Sequence, residues 1–97
     1  MQITFTAPLE SHPHGRATIL LVTVPDDESD LLSDLPVQRG GFGSIPCTAR
    51  IGATSWRTSV FPDKSNYLLL IARKRAVAEE LEVGEPVTVH LDLAADL

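Results

Sequence analysis

The stretch Ser44–Phe61, SIPCTARIGATSWRTSVF, is two runs of strand-forming residues joined by the dipeptide Gly52-Ala53. Glycine first in a two-residue loop suits a type II′ turn, whose twist matches that of the flanking strands. This turn sets a register in which Ile51 faces Thr54, Arg50 faces Ser55 and Ala49 faces Trp56. Side chains alternate along a strand, so Ile45, Cys47, Ala49, Ile51, Trp56, Thr58 and Val60 share one face, read as core. Thr48, Arg50, Ser55, Arg57 and Ser59 share the other, a polar face with two arginines.

Towards the N-terminus, QITFTAPLE alternates with Ile3, Phe5 and Ala7 on one face, a half-buried strand. SHPHG, with Pro13 and Gly15, reads as a turn. ATILLVTVP is too continuously apolar to be one-sided and reads as a central strand ending at Pro25. DDESDLLSDL opens with acids, which suit a helix N-terminus, and Leu31, Leu32 and Leu35 give it an apolar face. RGGFGS is a glycine loop that re-aims the chain into the hairpin, with Phe42 expected to plug one end of the fold.

Towards the C-terminus, PDKSN turns the chain and YLLLIA is an apolar strand. RKRAVAEELE is rich in helix formers, with Gly84 at the expected stop. EPVTVHLDL alternates, placing Val87, Val89, Leu91 and Leu93 inward. The chain thus reads as a mainly β fold with two short helices, built from two ββαβ halves, Gln2 to Ile51 and Thr54 to Leu93. Two such halves close a six-stranded barrel, which removes exposed sheet edges.

Bulk composition fits this. Residues 1–97 make a single domain with one modest core. The 43% hydrophobic and 22% charged fractions are ordinary for a globular chain. No apolar run approaches the ~20 residues that span a bilayer, and MQITFTAPLE does not read as a secretory signal. A single cysteine, Cys47, points to a reducing cytoplasm. The net charge of −5 argues against broad nucleic-acid affinity. Charge is unevenly spread: residues 1–38 sum to −5, residues 39–75 to +6 and residues 76–97 to −6. The middle block suits an anionic partner or the chain's own acidic flanks.

The elements resemble a known family. Phe5-Thr6-Ala7, Val24-Pro25, the glycines from Gly40 to Gly43, the run from Ile51-Gly52 through WRTSVFPDK, Tyr67 to Leu70, and Gly84-Glu85-Pro86-Val87 together resemble domain-of-unknown-function family nineteen-oh-five. Glu85 stands where an aspartate is usual, and Ile71-Ala72 where a proline and a valine are more common. The resemblance implies a small bacterial double-split β-barrel, similar to the swapped-hairpin transition-state regulators. In those regulators two chains complete one barrel. Here both halves lie in one chain, so either a monomer or a homodimer is compatible. The resemblance supplies no activity, and fold analogy alone does not decide one.

Few residues suit catalysis, which needs convergent groups. His12 and His14 flank Pro13 and could both touch a metal, but no third ligand stands near, and a solvated turn is the simpler reading. His90 sits on the polar face of the last strand, and Cys47 reads as a buried small hydrophobe. GGFG lacks the Lys-Ser/Thr ending of a phosphate loop. No cofactor or metal is implied. The candidate site is the polar hairpin face: Arg50 and Arg57, diagonal to each other, with Thr48, Ser55 and Ser59, and with Arg39 and Lys64 adding to the field. Guanidinium forks bind carboxylate or phosphate in bidentate fashion. This face suits a small anionic ligand, a peptide or a partner protein. The alternatives are a DNA-associated regulator and a merely solvated outer sheet face.

Overall fold

A computed structural model describes residues 1–36 and 39–93. The elements are β1 (Gln2–Pro8), β2 (Glu10–His14), β3 (Ala17–Thr23), α1 (Asp26–Asp34), β4 (Ile45–Ile51), β5 (Thr54–Asp63), β6 (Asn66–Ile71), α2 (Arg73–Ala78) and β7 (Pro86–Leu93). The seven described strands form one antiparallel sheet in the order β1-β7-β4-β5-β6-β3-β2. Its first and last strands, β1 and β2, are separated only by Leu9. Seven strands laid flat would hold those edges roughly 29 Å apart, six spacings of about 4.8 Å, far beyond the reach of one residue. The sheet is therefore curled.

Seven strands replace the expected six because Ser11–His14, most of the SHPHG stretch read from sequence as a turn, joins Glu10 in a strand paired with β3. The turn lies one step later, at Gly15 (φ 64°) and Arg16, between His14 and its partner Ala17. Pro13 is tolerated because β2 ends the strand order, and an edge strand loses nothing where its missing N–H faces outward.

The β4–β5 hairpin has the expected register, with Ile51 opposite Thr54, Arg50 opposite Ser55 and Ala49 opposite Trp56. Gly52 has φ 59° and Ala53 stays at negative φ, as a type II′ turn requires. Alternation then delivers the core: Ile3, Phe5 and Ala7 from β1, Ile45, Cys47, Ala49 and Ile51 from β4, and Val87, Val89, Leu91 and Leu93 from β7. Leu20, Leu21 and Val22 are buried in succession, as expected for a strand covered on both faces. β5 changes partner midway: Ile45–Ile51 pairs with Thr54–Val60, whereas β6 pairs only with Phe61–Asp63.

The helices pin the ends of this sheet. α1 opens with Asp26, Asp27 and Glu28, acids that favour a helix N-terminus. Its inner face is Ser29, Leu32 and half-buried Leu35; Leu31, expected there too, is half exposed. The fully buried Ser29 Oγ donates to Val24 O (2.9 Å) and accepts from Tyr67 N–H (3.0 Å), joining α1 to β6. α2 ends at Ala78, short of the expected Glu82. Glu80 N–H donates to Val77 O (3.1 Å) and Leu81 N–H to Ala76 O (2.8 Å), with Glu80 at φ 54°. That is a Schellman reversal with glutamate where glycine is usual; it turns Leu81 back against the core. Gly84 (φ 91°) is not the helix stop: its N–H donates to Leu9 O. Phe42 plugs nothing. It is 96% exposed at φ 59°, in a turn closed by Gly40 N–H donating to Ser44 O (2.8 Å). Among the described residues no helix is long and apolar enough to cross a membrane.

Two substitutions test this architecture. At Gly52 a Cβ would run into the Glu79 carboxylate, which accepts from Thr54 Oγ1 at 2.6 Å. Gly52→Ala also places a side chain at positive φ, so it is expected to cost about 1–3 kcal/mol in denaturant titration. Adding Glu79→Ala should recover the steric part of that loss and leave the backbone part. Ser29→Ala leaves the Tyr67 N–H without its acceptor in a buried place and is expected to lower stability by about 1–3 kcal/mol.

Candidate functional site

The outer face of the sheet carries rows of side chains set by strand register. One row runs Gln2, Asp92, Thr48, Arg57 and the next Thr4, His90, Arg50, Ser55. Thr48, Arg50, Ser55 and Arg57 are thus brought together as the sequence predicts. Ser59 lies two residues along β5 from Arg57, opposite Pro46. Two shallow depressions dent this face. One, of 240 Å³, is bordered by Gln2, Thr48, Arg50, Ser55, His90 and Asp92; the other, of 100 Å³, by Thr48, Arg57 and Asp92. Arg50 Nη1 donates to Gly52 O (3.0 Å), which ties its guanidinium to the hairpin turn. His90 Nδ1 is hydrogen-bonded to Thr4 Oγ1 at 3.1 Å. Asp92, absent from the sequence-based set, lies in the Arg57 row, opposite Thr48; only the β4–β7 register reveals it.

Arg39 and Lys64 stand apart from this face. Arg39 Nη2 donates to the carbonyls of Leu32 (3.1 Å), Ser33 (3.1 Å) and Leu35 (3.3 Å), and its Nη1 to Tyr67 Oη (3.1 Å). It closes the C-terminus of α1, which carries no basic residue in its own last turn. Its guanidinium is committed to structure. Lys64 sits in the β5–β6 turn at φ 59°, beyond the open end of the hairpin.

A larger cleft lies on another side, where β5 and β6 part. It measures 340 Å³ and is lined by Leu20, Trp56, Thr58 and Ile71, with Arg73 and Arg75 at its rim. The Arg75 guanidinium lies over the Trp56 ring at 4.9 Å from its centroid, a cation–π contact. Sequence reasoning assigned Trp56 to the core and Arg73 and Arg75 to a helix. The first placement is correct, but the juxtaposition of Trp56 with Arg73 and Arg75 depends on strand pairing that no local pattern displays.

His12 Nε2 and Glu10 Oε1 are hydrogen-bonded at 2.9 Å. The Thr23 hydroxyl (2.6 Å) and His12 together hold the Glu10 carboxyl below its usual range. Among the described residues no three His, Cys, Asp or Glu side chains gather as a metal would need. Burial pushes the Cys47 thiol up to about 11. A thiol raised in the fold and ordinary when unfolded contributes stability that is complete below about pH 9 and falls away as pH rises towards 11. Alkaline destabilisation in that window should therefore flatten in Cys47→Ala, and native Cys47 should react with a thiol reagent only as fast as the domain opens.

No curated protein and no solved structure matches the chain. The family described as Domain of unknown function (DUF1905) matches residues 5–91, nearly the whole length. Its extent runs from Phe5 in β1 to Leu91 in β7, across both helices and every strand between them. The chain belongs to this domain-of-unknown-function family, DUF1905.

Proposed function

We propose that this domain is a non-catalytic binding module whose outer sheet face holds a small anionic ligand or the acidic end of a peptide. One observation carries the reading. Arg50 and Arg57 project from paired strands on one face, and neither lies within ion-pair distance of a carboxylate among the described residues. Diagonal positions on neighbouring strands are about 7–8 Å apart, a spacing at which two forks grip two carboxylates or the two ends of one extended anion. Thr48, Ser55 and Ser59 offer hydroxyl donors beside them. Asp92 tempers the field and gives a ligand's cationic end a place to sit, which favours amino acids and peptides over nucleic acid. The net charge of −5 weighs in the same direction.

The scaffold in this reading is a closed double-split barrel. β1, Leu9 and β2 count as one strand that pairs with β7 over its first part and β3 over its second, as β5 pairs first with β4 and then with β6. Seven strands then become six. A barrel closed in this way presents its outer faces as rigid platforms. A reducing cytoplasm suits its single free, buried cysteine.

Succinate is the simplest probe of the pair. In an amide NMR titration it should shift Thr48–Arg50 and Ser55–Arg57 saturably, and Arg57→Ala should abolish that response while leaving the rest of the spectrum in place. Unchanged affinity in Arg57→Ala sinks the reading.

A further inference from the structure

We propose a second ligand site, independent of the arginine pair on the outer sheet face. The cleft where β5 leaves β6 binds a flat amphipathic carboxylate, its ring system against Trp56 and its carboxylate on Arg73 and Arg75. The cleft exists because of pairing. β6 is matched to β5 only through Asn66, Tyr67 and Leu68, so Leu69–Ile71 have β3 on one side and no strand on the other. Thr54–Val60 of β5 likewise have β4 on one side only. The cleft between these two unpaired edges is lined by Trp56 and Thr58 of β5, Leu70 and Ile71 of β6, and Leu20 of β3.

Three properties select the ligand. First, the walls are mostly apolar, and 340 Å³ falls at the small end of the range of roughly 300–1,000 Å³ seen for small-molecule sites, enough for a fused two-ring body. Second, the charged groups at the cleft are Arg73 and Arg75, with no acid among its lining residues, so the charged end of the ligand is an anion. Third, Arg75 already occupies the ring-stacking position over Trp56. A guanidinium on a long flexible stem is exchangeable. A planar ligand takes its place on the indole, and the displaced guanidinium turns to the carboxylate, where its fork gives two parallel hydrogen bonds. The anion thus exchanges a cation–π contact at a cleft rim for a charge-assisted pair. An extended peptide would pair with the backbone of these edges and would use neither the indole face nor the two arginines as fully.

Trp56 is the only tryptophan, so its emission reports this cleft alone. The probes are 2-naphthoate and its uncharged isostere 2-naphthamide, titrated into the whole chain at fixed protein concentration. The expected result is saturable quenching of Trp56 by 2-naphthoate, with 2-naphthamide at least tenfold weaker. The Arg73→Gln/Arg75→Gln variant should lose at least tenfold for 2-naphthoate while its circular dichroism is unchanged; both side chains border solvent, so the fold is retained. Arg50→Gln/Arg57→Gln should bind 2-naphthoate as the parent does, which separates this site from the outer-face reading. Quenching that does not saturate, equal affinity for both probes, or full retention in Arg73→Gln/Arg75→Gln overturns the proposal. So does Trp56 emission that changes with protein concentration in the absence of probe, since a second copy would then fill the cleft.

Discussion

The change of partner within β5 is the constraint on which the rest of the molecule depends. Over Thr54–Val60 the strand belongs with β4, and through it with β7 and β1; over Phe61–Asp63 it belongs with β6, and through it with β3 and β2. A strand cannot serve both neighbours over its full length while they diverge, so the sheet bends there and its two arms face each other across one core. The unpaired lengths of β5 and β6 would leave a breach into that core. Trp56 stands in it, 9% exposed, and Arg75 covers the ring. A large aromatic is the economical residue for this position, since it fills a wide gap with two rotatable bonds.

What was legible in the sequence was what local chemistry decides. Gly52-Ala53 admits one tight turn, and that turn fixed seven residue pairs of the β4–β5 hairpin and the facing of every side chain on it. The alternation in β1 and β7 was equally readable because each has one wet face. Ser11–His14 was not, because Pro13 and Gly15 are turn residues and only a partner strand makes this stretch β; the true turn needed just Gly15 and Arg16. α2 was overextended because EELE is good helix sequence, yet the hydrogen bonds of Glu80 and Leu81 show burial of Leu81 prevailing over propensity. Phe42 misled for a related reason: an aromatic in a glycine loop suggests a plug, but the left-handed backbone at that residue turns the ring to solvent.

The candidate sites divide along the same line. Thr48, Arg50, Ser55 and Arg57 could be grouped from sequence, since all four lie on one hairpin. Asp92 and His90 could not, because they join the face through β7, some forty residues away. Arg39 was grouped with them by charge alone. Its position a few residues beyond α1, a helix with no cation in its last turn, was the available hint that it serves the helix carbonyls.

Both cationic surfaces trace back to one hairpin. Arg57 and Trp56 are neighbours in the chain, so alternation sends one to the outer face and the other into the cleft. A one-residue slip of β5 would exchange them, placing the indole in solvent and a guanidinium in the core. The register that prevents this is held at the turn, where Gly52 leaves room for the Glu79 carboxylate and Thr54 binds it. Glu79 is the C-terminal cap of α2, the helix that carries Arg73 and Arg75. The same contact therefore locks the hairpin register and positions the rim of the cleft. The turn that orders the arginines on one face is thus the turn that docks the helix bearing the arginines of the other.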